Sequence, residues 1–146
     1  MTFVTLPLEV YYSEKKKFIL NLNNYRNAHY RVLSIAKKVY TENLVERIKN
    51  FSRFDDPVSL EYIYYAKSNR RLDVSNPCSI IDKFTCDALV KAEIIEDDSF
   101  KQIKKVSYVF GGVDKHNPRC ELTIKCFPLV SRSSLILLTS ITCLEL

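Results

Sequence analysis

The stretch VSLEYIYYA at residues 58–66 constrains the fold most. It is dense in β-branched and aromatic side chains, which suit a half-buried pleated surface, and it reads as a strand. Helical repeats lie on both sides of it. From about Ala28 to Phe51, Leu33, Ala36, Tyr40, Leu44 and Ile48 recur three or four residues apart on one face, and FDDP at 54–57 ends that segment. From about Asn76 to Glu93, Ile80, Ile81, Phe84, Ala88 and Ala92 make a second stripe. Asn76–Pro77 reads as its start, with Asn as N-cap and Pro in the first helical position. A strand between two amphipathic helices implies an α+β, mixed α/β chain.

The flanks add strands. Residues 3–12 and 17–22, around the polar SEKKK turn, read as two strands of a hairpin. The intervening NNYRNAHYR is polar and basic, with interleaved tyrosines. VSYVF at 106–110 and CELTIKCF at 120–127 read as a closing antiparallel pair joined by GGVDKHNPR. The expectation is a small mixed sheet with two main helices. Gly111–Gly112 falls between strands in this reading, so no glycine-rich phosphate loop is present. A length of 146 residues fits one domain, placed at 1–126, followed by an apolar C-terminal extension at 127–146. Within that extension LILLTSITCLEL is too short for a membrane span and reads as a terminal strand, a partner-binding segment or a poorly ordered tail.

A formal charge of +5 and a pI of about 8.9 suit an anionic partner such as nucleic acid. The five cysteines are odd in number and irregularly spaced, no C-x-x-C occurs, and His29 and His116 stand far apart. This argues against a zinc site and a disulfide framework and for reduced thiols in a cytoplasm, several packed as small apolar residues. The N-terminus has neither the leading positive charge nor the small-residue cleavage site of a signal peptide.

Two acidic points bracket the second helix: Asp73 before it, and Asp97 with Asp98 after it. A helix of that length spans roughly 24 Å, so the points meet only where the following loop folds back. If they meet, carboxylates converge near Arg70 and Arg71, and hard oxygen donors of that kind suit Mg²⁺ or Mn²⁺. The competing reading makes them ordinary helix-end and turn acids, with Asp98–Ser99 capping a turn. On the helix itself Asn76, Lys83 and Asp87 fall within about 40° of one another, while Asp82 lies more than 90° away. Lys83 and Asp87 form a surface i,i+4 ion pair in one reading. In the other, Lys83 contacts a scissile phosphate.

RRLDVSN followed by DKFTCDALVKAEIIEDDSF resembles the RusA family of Holliday junction resolvases, in the form found in phages and prophages. The likeness covers roughly residues 18–125 and is densest from Arg70 to Phe100. The family core runs D-x-D-N-x-x-K-x-x-x-D-A-L, then a helix end, then D-D. Asp73 matches the first acid, Asn76 the asparagine, Lys83 the lysine, Asp87 the acid of D-A-L, and Asp97–Asp98 the closing pair. Two departures stand out. Ser75 occupies the place of the second acid, and four residues are inserted between Asn76 and Lys83.

The resemblance implies a homodimer that binds branched DNA at four-way junctions and hydrolyses it with Mg²⁺, Mn²⁺ being a substitute. Asp73, Asp97 and Asp98 would hold metal. Asp73, Asp98 and Lys83 would act in catalysis, supported by Asn76, Asp87 and Ser75. Arg26, Arg31, Lys67, Arg70, Arg71, Lys101, Lys104 and Lys105, with the run Lys15–Lys17, would hold backbone phosphates. The alternative is a catalytically weak or inactive junction-binding module of the same fold, marked by Ser75. Either protein is expected in a bacterial cytoplasm, phage or prophage encoded, away from membranes.

Overall fold

Residues 1–128 are described in the computed structural model; the apolar stretch beyond them, and with it most of the extension expected from residue 127, lies outside the described residues. The elements run β1 (Thr2–Leu6), β2 (Glu9–Ser13), β3 (Lys16–Ile19), α1 (Leu22–Asn27), α2 (Tyr30–Ile48), β4 (Val58–Ala66), α3 (Ser75–Lys91), β5 (Ile103–Val113) and β6 (Arg119–Cys126). The mixed α+β expectation holds.

The central strand is β4. Val58, Leu60, Tyr62, Tyr64 and Ala66 are buried beneath the helices, and the alternate residues face the other side half-buried, as a period of two requires. The four-stranded sheet has the order β1-β6-β4-β5, with β4 parallel to β5 and antiparallel to β6. The closing strands are therefore not each other's partners. A strand buried along its whole length must satisfy backbone groups on both edges, and β4 does so by sitting between them. Gly111 and Gly112 lie inside β5, at an irregularity in its pairing with β4, and not between strands. A Cβ on Gly111 would stand 2.6 Å from Ile63 Cγ2 and 2.8 Å from the Tyr65 ring, so the close approach requires glycine.

The N-terminal hairpin expectation is also corrected. Pro7, which has no N–H to donate, divides the stretch. β1 pairs with β6 at the sheet edge, whereas β2 and β3 form their own two-stranded ribbon. The polar NNYRNAHYR segment contains a short helix, α1, capped by Asn21, whose Oδ1 accepts the Asn24 N–H at 2.7 Å.

Helices α2 and α3 pack together on the buried side of the sheet. Phe84 is the centre of this layer. It stacks on Phe18 of β3 and meets Tyr25 and Tyr40 edge-on, with ring centroids 6.4, 6.4 and 5.6 Å away. Truncating such a ring to alanine costs about 3–5 kcal/mol. Tyr40, fully enclosed, shares a 2.7 Å hydrogen bond with Thr85 and so ties α2 to α3. Cys78, Cys86 and Cys120 are buried and fill space as small apolar residues, while Cys126 is exposed.

Candidate functional site

The passage β4–α3–β5 decides where the candidate residues stand. β4 ends at Ala66 and hands the chain to the exposed KSNRR turn. α3 then returns along the sheet, and β5 starts beside the start of β4, with Ile103 opposite Val58. The 17 residues of α3 span about 25 Å. Asp73 thus lies at one end of the sheet, with Lys67, Arg70 and Arg71, and Asp97 and Asp98 lie toward the other, with Lys101, Lys104 and Lys105.

At the first end the helix starts at Ser75, two residues before Pro77, the first helical position that the sequence suggests, and Asn76 is not the N-cap. Val74 holds that position without a side-chain cap bond. Asp73 does the capping work instead: its Oδ1 accepts the Ser75 N–H at 3.1 Å and the Ser75 hydroxyl at 2.8 Å. Asn76 is free for another task. Its Oδ1 accepts the Leu22 N–H at 2.9 Å and joins the start of α1 to the start of α3.

At the second end Glu93 takes φ 59, a conformation usually left to glycine, and the Ile94 N–H reaches back to the Leu89 carbonyl at 2.9 Å. This stop turns the chain and buries Ile94 and Ile95. Asp97, not Asp98, caps the next turn, accepting the Ser99 N–H at 2.9 Å. Hydrogen bonds from Ser99 hold the Asp97 carboxyl below the usual aspartate range. Asp98 is exposed and has no partner among the described residues. Its charge is nevertheless felt at Cys86, where burial first, then Asp82, then Asp98 push the thiol pKa up. Asp55 and Glu96, which were not among the sequence candidates, join Asp97 and Lys101 around a cleft of about 250 Å³. The only signal for Asp55 was the FDDP turn.

Along α3 the exposed face carries Lys83, which makes no ion pair among the described residues. The expected Lys83–Asp87 pair is absent there: Asp87 pairs with Lys37 of α2 instead, which is a helix-to-helix contact. Asp82, which its helical angle only set apart from Lys83 and Asp87, turns inward. Its half-buried carboxylate accepts the Tyr62 hydroxyl at 2.7 Å, the Tyr108 hydroxyl at 2.9 Å and the Cys86 thiol at 3.2 Å. Burial and the neighbouring Asp82 charge raise the pKa of both phenols. Asp82 thereby locks the rotation of the helix that presents Lys83.

Arg26, Arg31, Lys67, Arg70, Arg71, Lys101, Lys104 and Lys105 are all exposed, and none has an acidic partner among the described residues. Arg31 lies over the Tyr30 ring at 5.7 Å and Lys104 over the Phe100 ring at 5.8 Å, and both rings are themselves exposed. Lys17, by contrast, is paired with Glu9 at 3.0 Å.

No protein-family model matches this chain, and no curated protein matches it significantly.

No three His, Cys, Asp or Glu side chains gather as a metal-holding group among the described residues. The exposed acids offer hard oxygens singly: Oδ2 of Asp73, left over from the cap, and both oxygens of Asp98. That suits Mg²⁺, which keeps several waters and takes one or two protein carboxylates. No helix among the described residues is long and apolar enough to cross a membrane.

Proposed function

We propose that this protein is a Mg²⁺-dependent endonuclease that resolves four-way DNA junctions. The observation that carries the reading is a single helix, α3, whose exposed side presents Lys83 and whose two ends carry exposed acids, Asp73 before it and Asp98 after it, each with unpaired basic residues near in the chain. Unpaired cations on a folded surface are free to replace the counterions of DNA phosphates, and such binding weakens steeply with salt. Asp98, with Asp97 close by, would hold an ion at the second end of α3 and Asp73 at the first, with Mn²⁺ as a substitute. When bound, the ion supplies Lewis-acid polarisation of the phosphate and a lowered pKa for coordinated water. Lys83 would neutralise charge that develops on the phosphate. Asn76, through its bond to Leu22, keeps the first end of α3 in place.

A homodimer belongs to the same proposal, since a two-fold protein matches a near two-fold junction. The uncovered side of the sheet, where Phe3 and Val109 are exposed among charged residues such as Glu61 and Glu121, would be the surface for a second copy. A phage- or prophage-encoded protein in a bacterial cytoplasm completes the reading.

A second reading is favoured by one contact. Ser75, where the resolvase pattern has an acid, donates its hydroxyl to Asp73 and occupies one of that carboxylate's oxygens. A junction-binding module with weak cleavage would look the same. Incubation of the protein with a labelled four-way junction and a matched linear duplex, in Mg²⁺ and in EDTA, decides between them. Paired nicks in the junction alone, lost in EDTA, are expected. Binding without nicks in either Mg²⁺ or Mn²⁺ would establish the second reading, and no salt-sensitive binding would sink both.

A further inference from the structure

Two clefts of about 370 Å³ and 300 Å³ open at the first end of α3, and they share Leu8, Ile19 and Tyr64. Together they reach from Lys67 to Asn76, three residues from Asp73. That is the size of a small-ligand pocket. Its walls are mainly apolar and open, with Ile19 and Leu72 44% and 43% exposed, and the Glu9–Lys17 ion pair also lines the larger cleft.

Tyr64 makes this more than a surface hollow. The residue is only 9% exposed, yet its hydroxyl has no hydrogen-bond partner among the described residues and is not sealed from solvent. Buried tyrosine hydroxyls ordinarily find partners. Tyr40 and Tyr62 do so here, with Thr85 and Asp82. Two further donors lie alongside. The Oδ1 atoms of Asn76 and Asn21 are used by the Leu22 and Asn24 N–H groups, which leaves both Nδ2 amides without a partner among the described residues. The cleft therefore combines flat apolar walls, three unused donors and an unpaired ammonium, that of Lys67, at its mouth.

We propose that this cleft binds an unpaired nucleobase of the strand whose phosphate lies beside Asp73. The inference rests on the proposed junction chemistry and names the part of the substrate that the site would read. A base offers planar apolar faces for the walls and carbonyl or ring-nitrogen acceptors for the donors, and its phosphate suits Lys67. A bare phosphate has no use for apolar walls, and an apolar peptide has none for the donors. A base already unpaired at a branch point costs least to take out of the stack.

The test uses the full chain, isotope-labelled for NMR. It is titrated with a short single-stranded oligonucleotide and with the same oligonucleotide carrying a central abasic site. Amide signals of Tyr64, Leu72 and Asn21 should shift with the intact strand and stay still with the abasic one. Tyr64→Phe, which removes no contact within the protein, should weaken the intact strand about fivefold, the value of one hydrogen bond, and leave the abasic strand unaffected. Ile19→Glu, at an exposed position, should weaken it further. Equal shifts for both strands, confined to Lys67, Arg70 and Arg71, would overturn the proposal, as would no shift or an unaffected Tyr64→Phe. A parallel junction-cleavage assay separates the two ideas. Cleavage with silent cleft signals refutes the base site alone, and a base-dependent shift without cleavage refutes the nuclease alone.

Discussion

Replacing Asp82 by alanine tests how α3 is held. The carboxylate accepts three hydrogen bonds, from Tyr62, Tyr108 and Cys86. Tyr62 is 0% exposed, so its hydroxyl would be stranded without water, at a cost of about 1–3 kcal/mol. Tyr108 is partly exposed and can turn to solvent, which limits its share to about 1 kcal/mol. Removing a half-buried charge returns some desolvation energy. The net loss is about 2–3 kcal/mol, a large part of the roughly 5–15 kcal/mol that holds a domain together. Urea unfolding followed by circular dichroism reads this as a lower midpoint at unchanged slope. The melting temperature should fall by roughly 10 °C. Adding Tyr62→Phe removes the stranded hydroxyl, so the double variant should be less destabilised than the sum of the singles. A loss for Asp82→Ala under about 0.5 kcal/mol, or strict additivity, would refute the claim that this network fixes the helix.

Asp98→Asn should abolish junction cleavage and preserve or tighten binding, since it removes a negative charge that would face DNA; normal cutting by this variant defeats the assignment. Lys83→Ala should lower the cleavage rate more than affinity, and a pure affinity loss would make Lys83 a phosphate clamp. Gly111→Ala should destabilise by about 1–3 kcal/mol because its Cβ meets Ile63 and Tyr65, and an unshifted melting curve would show that β5 yields there. The Asn117 N–H, then Arg119, hold the Asp114 carboxyl below the ordinary aspartate range. Its contribution is complete above the unfolded aspartate pKa and is lost as pH falls through the lower folded value. An NMR titration of Asp114 with an ordinary midpoint would contradict this.

The strand β4 and the inward stripe of α3 were legible in the sequence, because each depends on a repeat within one segment. Asn21 and the short helix it caps were missed, because the polar composition of NNYRNAHYR reads as a loop. The partners were not legible. Asp87 reaches Lys37 on another helix, Asn76 reaches Leu22 across 54 residues, and Tyr62 and Tyr108 converge on Asp82 from two strands. Strand neighbours were hidden for the same reason: β5 and β6 follow each other in the chain, but β4 lies between them.

The candidate site divides along this line. The sequence by itself determined which residue types stand on α3 and at its two ends, because helical spacing is local geometry. Two acids spend an oxygen locally, Asp73 on the Ser75 N–H and Asp97 on the Ser99 N–H, each two residues on. Only the tertiary structure left Asp98 and Lys83 exposed and placed the Tyr64 hydroxyl, without a protein partner among the described residues, in the cleft at the first end of α3. Those outcomes depend on which groups find partners across the fold, and a partner is set by packing between elements rather than by position along the chain.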